Sequence, residues 1–439
     1  MGIELLSLLM LGSIIVLLMI GLPLAFVTGI VAFAFLLTMF GPMSLTLITS
    51  RIYTFANEYA LVAVPMFVLM AMILERSGVA KDLYSAMHVW AGGLHGGLAV
   101  QTMGVAVLLA TMTGIIGGEI VLLGLVALPQ MLRLKYDKKL AIGTICAGGS
   151  LGTMIPPSIV LIFFGLTANV SIGDLFIATI IPGLMLAAFY VAYILIRCYA
   201  NPELGPPAPL EERQMPFLQK VKLLKGVILP ILVAVLVLGS IYGGIASISE
   251  AASMGVVGVV LSAWVRGELN WPMLRDSLHQ TMVTCGMLLW LTFGATALVG
   301  VYNLMGGNVF IKNVVTGLPF DPIVIIIFMM LILIVLGMFM DWIGILLLTM
   351  PIFVPIVVDF GYSPIWFGIL FCMNMQVSYL TPPFGPAAFY LKGVAPPEIS
   401  LQDIYNSLWP FIGLQVLAIM IVLFFPGFAL WLPRLVYGS

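Results

Sequence analysis

Glu119 and Asp341 are the residues of this chain whose placement most demands a chemical reason, because each is a carboxylate set in a long apolar run. Glu119 lies in TMTGIIGGEIVLLGLVALP and Asp341 in LGMFMDWIGILLLTMP. At membrane depth a carboxylate costs about 2.5–3.5 kcal/mol on insertion scales. Three roles answer that cost: ligand to a cation, carrier of a proton, or structural acid satisfied by helix N-terminal amides. Glu119 also fits a helix-start cap beneath the Gly117-Gly118 turn. Two proline doublets accompany the acids, Pro156-Pro157 in GGSLGTMIPPS and Pro382-Pro383 in VSYLTPPFGPA. Proline lacks a backbone donor and clashes with the preceding turn, so each doublet must break a helix and free carbonyl oxygens. Freed carbonyls and half-helix C-termini suit Na⁺, whereas half-helix N-termini suit carboxylates. Thr153 and Ser158 flank one break, Ser378 and Thr381 the other, adding neutral oxygens.

These features recur at matched spacing. Glu119 precedes Pro129 by ten residues and Asp341 precedes Pro351 by ten; the acid precedes the doublet by 37 residues in the first half and by 41 in the second. Such a pattern is the signature of a secondary transporter built from two repeats with broken helices at the midplane.

Other chemistries lack their residues. His88 and His95 are seven apart and His279 is remote, so no metal-ligand spacing exists. Cys146, Cys198, Cys285 and Cys372 are scattered in or beside apolar runs and read as small buried hydrophobes. No Ser/His/Asp or Cys/His grouping suggests nucleophilic catalysis, and no G-x-x-x-x-G-K-[ST] phosphate loop occurs. A net charge of −1 offers no basic face for nucleic acid. Glu250 after Ser247-Ile248-Ser249, and Asp174 after Ser171-Ile172-Gly173, read as helix-start caps.

The elements that must position the acids are membrane helices. Of 439 residues 62% are hydrophobic and 8% charged, where a soluble domain carries roughly 25% charged residues. The solvent is therefore lipid. A crossing needs about 20 apolar residues, and measured against that length ten plausible crossings emerge: 3–20, 23–40, 59–75, 140–166, 174–197, 226–243, 250–265, 281–303, 364–391 and 409–431. The first lacks a basic start and leads through Gly21 and Pro23 into the next, so it reads as a retained span rather than a secretion signal. Stretches 97–132 and 322–358 are too long for one crossing and have Gly or polar residues at their middle, which predicts re-entrant hairpins. Segments 77–92 and 398–408 mix charge with apolar residues at helical spacing and read as helices lying on the membrane.

Nine of the 17 basic residues fall between Arg133 and Lys225 in two loops, the first holding Arg133, Lys135, Lys138 and Lys139, the second Arg197, Arg213, Lys220, Lys222 and Lys225. The positive-inside rule places both loops in the cytoplasm and both termini outside. The first hairpin then enters from the cytoplasm and the second from outside, so the repeat is inverted. The organisation expected is N-terminal scaffold helices 1–58, a first repeat half 59–200, a Pro-rich cytoplasmic linker 201–225, scaffold helices 226–280, a second repeat half 281–408 and a C-terminal helix 409–439. The fold class is an all-α polytopic membrane protein with two re-entrant hairpins and two broken helices.

The segments AVPMFVLMAMILERSGVA, GGLHGGLA, GGSLGTMIPPSIVLIFFG, DLFIATIIPGL and LTPPFGPAAF, in that order, resemble the large membrane subunit of the tripartite ATP-independent periplasmic (TRAP) transporters over nearly the whole chain. The resemblance implies an elevator-type fold of the wider ion-transporter superfamily, in which a domain holding both hairpins moves against a fixed scaffold. It implies a small membrane subunit and a periplasmic substrate-binding protein as partners, a carboxylate substrate, a bacterial or archaeal cytoplasmic (inner) membrane, and Na⁺ as the coupling ion at two sites. Carried over by position, the first site takes Thr113, Gly114 and Ile115 from the hairpin with Gly152, Ile155 and Pro157 at the first break, and the second takes Gly337, Asp341 and Thr381. Ser158, with Thr153 and Thr381, faces the substrate. The chain departs from the family's Ser-rich hairpin tip: TGIIGGE leaves Thr113 and backbone oxygens there, a variant that points to 2-oxo or hydroxy acids. The function expected is Na⁺-coupled import of an organic acid. The alternatives are an intramembrane enzyme using Glu119 and Asp341, and a proton-coupled anion transporter.

Overall fold

The computed structural model describes residues 2–91, 93–114, 117–207 and 225–437. Ile115, the linker residues Pro209, Arg213, Pro216, Lys220 and Lys222, and the side chains of His88 and Lys225 lie outside what is described. Among the described residues there are helices and turns but no strand.

Several helix starts carry side-chain caps. Asp137 accepts from the Leu140 N–H at the head of α8 (Lys138–Ser150), and Ser171 from the Asp174 N–H at the head of α10 (Ile172–Ala200). Ser247 and Glu250 close a full capping box on α12 (Ile248–Val265), with Ser247 as the cap and Glu250 answering from the third position. Asn270 caps α13 (Trp271–Leu304), whose first turn holds Pro272. That cap starts the helix ten residues before the expected crossing.

Ser400 and Asp403 form a second capping box, so α19 (Leu401–Phe424) is one continuous helix. This corrects the reading of 398–408 as a separate surface segment. The following crossing is cut short before Pro426, after which α20 (Gly427–Tyr437) begins.

Helices occupy all ten expected stretches, among them α1 (Ile3–Met19), α2 (Leu24–Phe40), α4 (Ala63–Arg76) and α11 (Lys225–Tyr242). Two short helices, α3 (Leu45–Ala56) and α14 (Gly307–Thr316), were not expected, and α5 (Val79–Ala91) covers the segment read as a surface helix. The hairpin stretches resolve into α6 (Gly97–Thr113) with α7 (Gly118–Arg133), and α15 (Pro322–Gly337) with α16 (Trp342–Asp359). Both doublets interrupt helices: α8 stops before the first and α9 (Ile159–Ala168) resumes after it, while the second divides α17 (Pro364–Leu380) from α18 (Pro386–Lys392). Among the described residues, six helical stretches, Tyr59–Arg76, α10, α12, α13, α16 and α19, are long and apolar enough to cross a membrane.

Two sets of helices pack internally. In one, α13 runs along α2, α3 and α4, and α12 lies on α4 and α11. In the other, α17 is enclosed by α10, α15 and α19, while α8 joins α19 to α6 and α7. Every residue of α17 from Trp366 to Leu380 is buried, as an apolar sequence on all faces requires. The sets meet where α4 touches α6 and α13 touches α16. Outward faces of α1, α11 and α13 carry large exposed apolar side chains, Leu8, Val235 and Met282 among them, which suits contact with lipid rather than water.

Candidate ion and substrate site

The turn between α6 and α7 is built to press backbone against backbone. Gly114 has a φ of +62°, open to glycine at little cost, and it sits against the carbonyl oxygen of Pro157 in the first break. A side chain there would overlap that oxygen. Glu119, in the first turn of α7 and 2% exposed, accepts a hydrogen bond from the Thr113 hydroxyl that ends α6. Its carboxylate also lies on Gly152, where a Cβ would displace it, and its second oxygen is buried without a partner among the described residues. Thr113, Gly114, Gly152 and Pro157, four residues expected at the first site, are thus gathered around Glu119 and the break. The buried side chain of Ile155 instead points to Gly183 of α10.

The second break is assembled from different contacts. Gly337, the last residue of α15, lies under the Ser378 hydroxyl of α17. Thr381 ends α17 and donates to the Val377 carbonyl at 2.6 Å. Asp341 precedes α16 as its N-cap residue. Among the described residues no hydrogen bond joins Asp341 to Thr381, so the second set is brought together less tightly than the first.

Thr153 ties the halves to each other. Its hydroxyl accepts from Gln376 Nε2 of α17 at 2.5 Å and donates to the Ser150 carbonyl at 3.2 Å. Its carbonyl accepts from the Ser158 hydroxyl and from Cys372 Sγ at 3.3 Å. Ser158 is fully buried, with its hydroxyl turned onto Thr153. Sequence reasoning passed over Gln376 and Asn374, whose amide donates to the Met330 carbonyl of α15 at 2.8 Å. The signal was available: two amides, in MNMQ, inside a helix that is otherwise apolar all round.

A cavity of about 670 Å³ opens between the two helix sets. One wall is α4 and α13, with Glu75, Gln280 and Thr284; the other holds Thr113, Gly114, Glu119, Thr153, Asp341 and Tyr379. Glu119 and Asp341, far apart in sequence, therefore line the same space, whereas Ser158 and Thr381 are not among the described residues that line it. Glu75 was not anticipated: its carboxylate lies beside Gly118, 2.8 Å from where a Cβ would stand. Arg76 is the cationic residue of the lining. Among the described residues no three His, Cys, Asp or Glu side chains cluster as ligands for a multivalent metal. Carboxylates, hydroxyls and carbonyls freed from helices make an environment for a hard monovalent cation and a small anion.

Comparison with known proteins follows the same lines. The family model described as "Tripartite ATP-independent periplasmic transporter, DctM component" matches residues 11–428. The C4-dicarboxylate TRAP transporter large permease protein DctM of Vibrio cholerae serotype O1 is 28% identical over 460 residues, covering 100% of this chain and 99% of that one. The sialic acid TRAP transporter large permease protein SiaM of the same organism is 26% identical over 435 residues, covering 98% and 99%. Among solved structures, the YdaH transporter of Alcanivorax borkumensis shares the fold with a TM-score of 0.67 at 17% identity, over 91% of each chain.

Proposed function

This chain belongs to the DctM component family of the tripartite ATP-independent periplasmic transporters, and from that footing we propose that it is the Na⁺-coupled subunit through which an organic acid crosses the membrane. It is a multi-pass membrane component of a transporter and not an enzyme. The membrane is the cytoplasmic (inner) membrane of a bacterium or archaeon, with both termini outside. A small membrane subunit completes the membrane part, and a periplasmic binding protein delivers the substrate. Relatives named for C4-dicarboxylate and for sialic acid support a carboxylate as the cargo; the TGIIGGE turn favours a 2-oxo or hydroxy acid.

One observation carries the reading: the α6–α7 turn closes on the first break around Glu119, at the wall of a cavity that Asp341 also lines. In the mechanism proposed, one Na⁺ binds between Thr113, Gly114 and Ile115 of the turn and Gly152, Ile155 and Pro157 of the break. A second binds near Gly337, Asp341 and Thr381. The ions offset the acidic field of the cavity and order the broken helices, so that a carboxylate is accepted beside Thr153, Ser158 and Thr381. α6–α9 and α15–α18 act as inverted repeats, and the set containing them slides against α1–α4 and α11–α13 as an elevator. This assigns α4 and the whole of α13 to the scaffold, where the sequence reading counts α4 and most of α13 in the repeat halves; residues 201–225 link the halves.

The test is uptake into proteoliposomes holding both membrane subunits, with the binding protein outside. An inward Na⁺ gradient drives accumulation and its replacement by choline abolishes it. Equal accumulation driven by a proton gradient in the absence of Na⁺ overturns the ion assignment in favour of Glu119 and Asp341 as proton carriers.

A further inference from the structure

We propose that Gln376 is a positioning residue that couples the two helix breaks, by setting the Thr153 hydroxyl from a helix that also builds the second break. The inference rests on the Na⁺-coupled reading above and adds to it a path between the two sites.

Three observations carry it. First, Gln376 is fully buried, and its amide nitrogen reaches Thr153 Oγ1 at 2.5 Å. Its amide oxygen is buried with no partner among the described residues. A half-satisfied amide is a poor choice for packing alone, since Leu or Met would fill the space without the desolvation cost. Second, Cys372, four residues earlier on the same face of α17, meets the Thr153 carbonyl at 3.3 Å. One face of α17 therefore grips Thr153 through both its polar groups. Third, the same helix carries Ser378, seated on Gly337, and ends at Thr381. α17 is enclosed along its length, so it cannot bend locally to absorb a change at one end. A shift at Gly337 or Thr381 must move Gln376 relative to Thr153, and a shift of Thr153 must return along the same helix.

The consequence is cooperativity. Occupation of either site seats α17, and seating α17 places the Thr153 hydroxyl for the other. The experiment measures initial uptake against Na⁺ concentration in proteoliposomes with both membrane subunits and the binding protein, for wild type, Gln376→Leu, the shape-conserving Gln376→Met, Thr153→Val and the Gln376→Met/Thr153→Val double variant.

Loss of one buried hydrogen bond is expected to raise the half-saturating Na⁺ about tenfold, and the Hill coefficient falls to about one because the sites no longer communicate. The double variant is no worse than either single one, as expected for residues acting through one contact. A purely structural role lowers the maximal rate through less active protein and leaves half-saturation and Hill coefficient alone; that result in Gln376→Met overturns the proposal, as do additive effects in the double variant. Wild-type uptake indifferent to Na⁺ instead sinks the ion-coupled reading itself, so the two failures are distinguishable.

Discussion

Gly114→Ala puts the close approach of turn and break to its sharpest test. Two penalties follow from the geometry. A non-glycine residue at a φ of +62° pays about 1–2 kcal/mol for its Cβ. The added methyl also overlaps the carbonyl oxygen of Pro157, whose carbonyl carbon is only 3.3 Å from the Cβ position. Because the obstacle is backbone within a buried break, relief requires moving the turn, which adds about 1–3 kcal/mol of overpacking strain. The expected destabilisation is therefore about 2–5 kcal/mol.

If the turn withdraws instead, the geometry around Thr113 and Glu119 is lost, and with it the first ion site. The assay is thermal melting of the purified membrane complex in Na⁺ and in choline. A bound ion at a hundred times its dissociation constant stabilises by about 2.7 kcal/mol, so wild type melts higher in Na⁺. Gly114→Ala is expected to melt lower in both salts and to lose most of the Na⁺-dependent rise. Gly413→Ala is the control: Gly413 lies within α19 with no atom near its Cβ position, and an alanine there favours the helix by about 0.5–1 kcal/mol. A Gly114→Ala variant with wild-type melting and a full Na⁺ response would refute the placement of the first site at this contact.

Three further outcomes are expected. Thr113→Val removes the hydroxyl that donates to Glu119; leaving a buried acceptor unpaired costs about 1–3 kcal/mol, and both melting temperature and Na⁺ affinity fall, whereas Thr113→Ser preserves them. Ser247→Ala opens the capping box of α12 at a cost of about 1 kcal/mol, visible as faster hydrogen exchange at the Glu250 and Ala251 amides with uptake retained. Tyr136→Phe takes away the acceptor of the Leu98 N–H at the start of α6, bonded at 3.1 Å. Burial pushes the Tyr136 phenol up to about 12, above its unfolded value of about 10. The stability it contributes is therefore complete below pH 10 and is lost as pH rises through about 12, so the Phe variant softens less than wild type across that interval.

The helices were legible because lipid imposes a length on them, and the breaks because a proline doublet has one consequence for a helix. The boundaries were less so. Asn270 and Ser400 are short polar residues whose capping role depends on a partner three positions on, and reading them would have moved the starts of α13 and α19 to their true places. Matched spacing marked Glu119 and Asp341 as corresponding points of two repeats; that both line one cavity came from the packing.

What spacing does not reveal is contact between halves. Gln376 bonds to Thr153 across 223 positions, and Glu75 enters the lining because α4 lies opposite the α6–α7 turn. Such pairings are set by the packing of helices whose faces are all apolar, and periodicity offers no guide to which face meets which.

The 34 residues of α13 extend about 51 Å at 1.5 Å per residue, against about 30 Å of hydrocarbon. Its first turns hold Arg275, Asp276 and His279, and Gln280 and Thr284 just beyond them line the cavity. A helix with this excess either projects its charged end into water or tilts to match the bilayer. A tilt carries with it the α13 part of the cavity wall, where Gln280 and Thr284 stand opposite Thr113 and Glu119, so uptake is expected to vary across bilayers of graded acyl length.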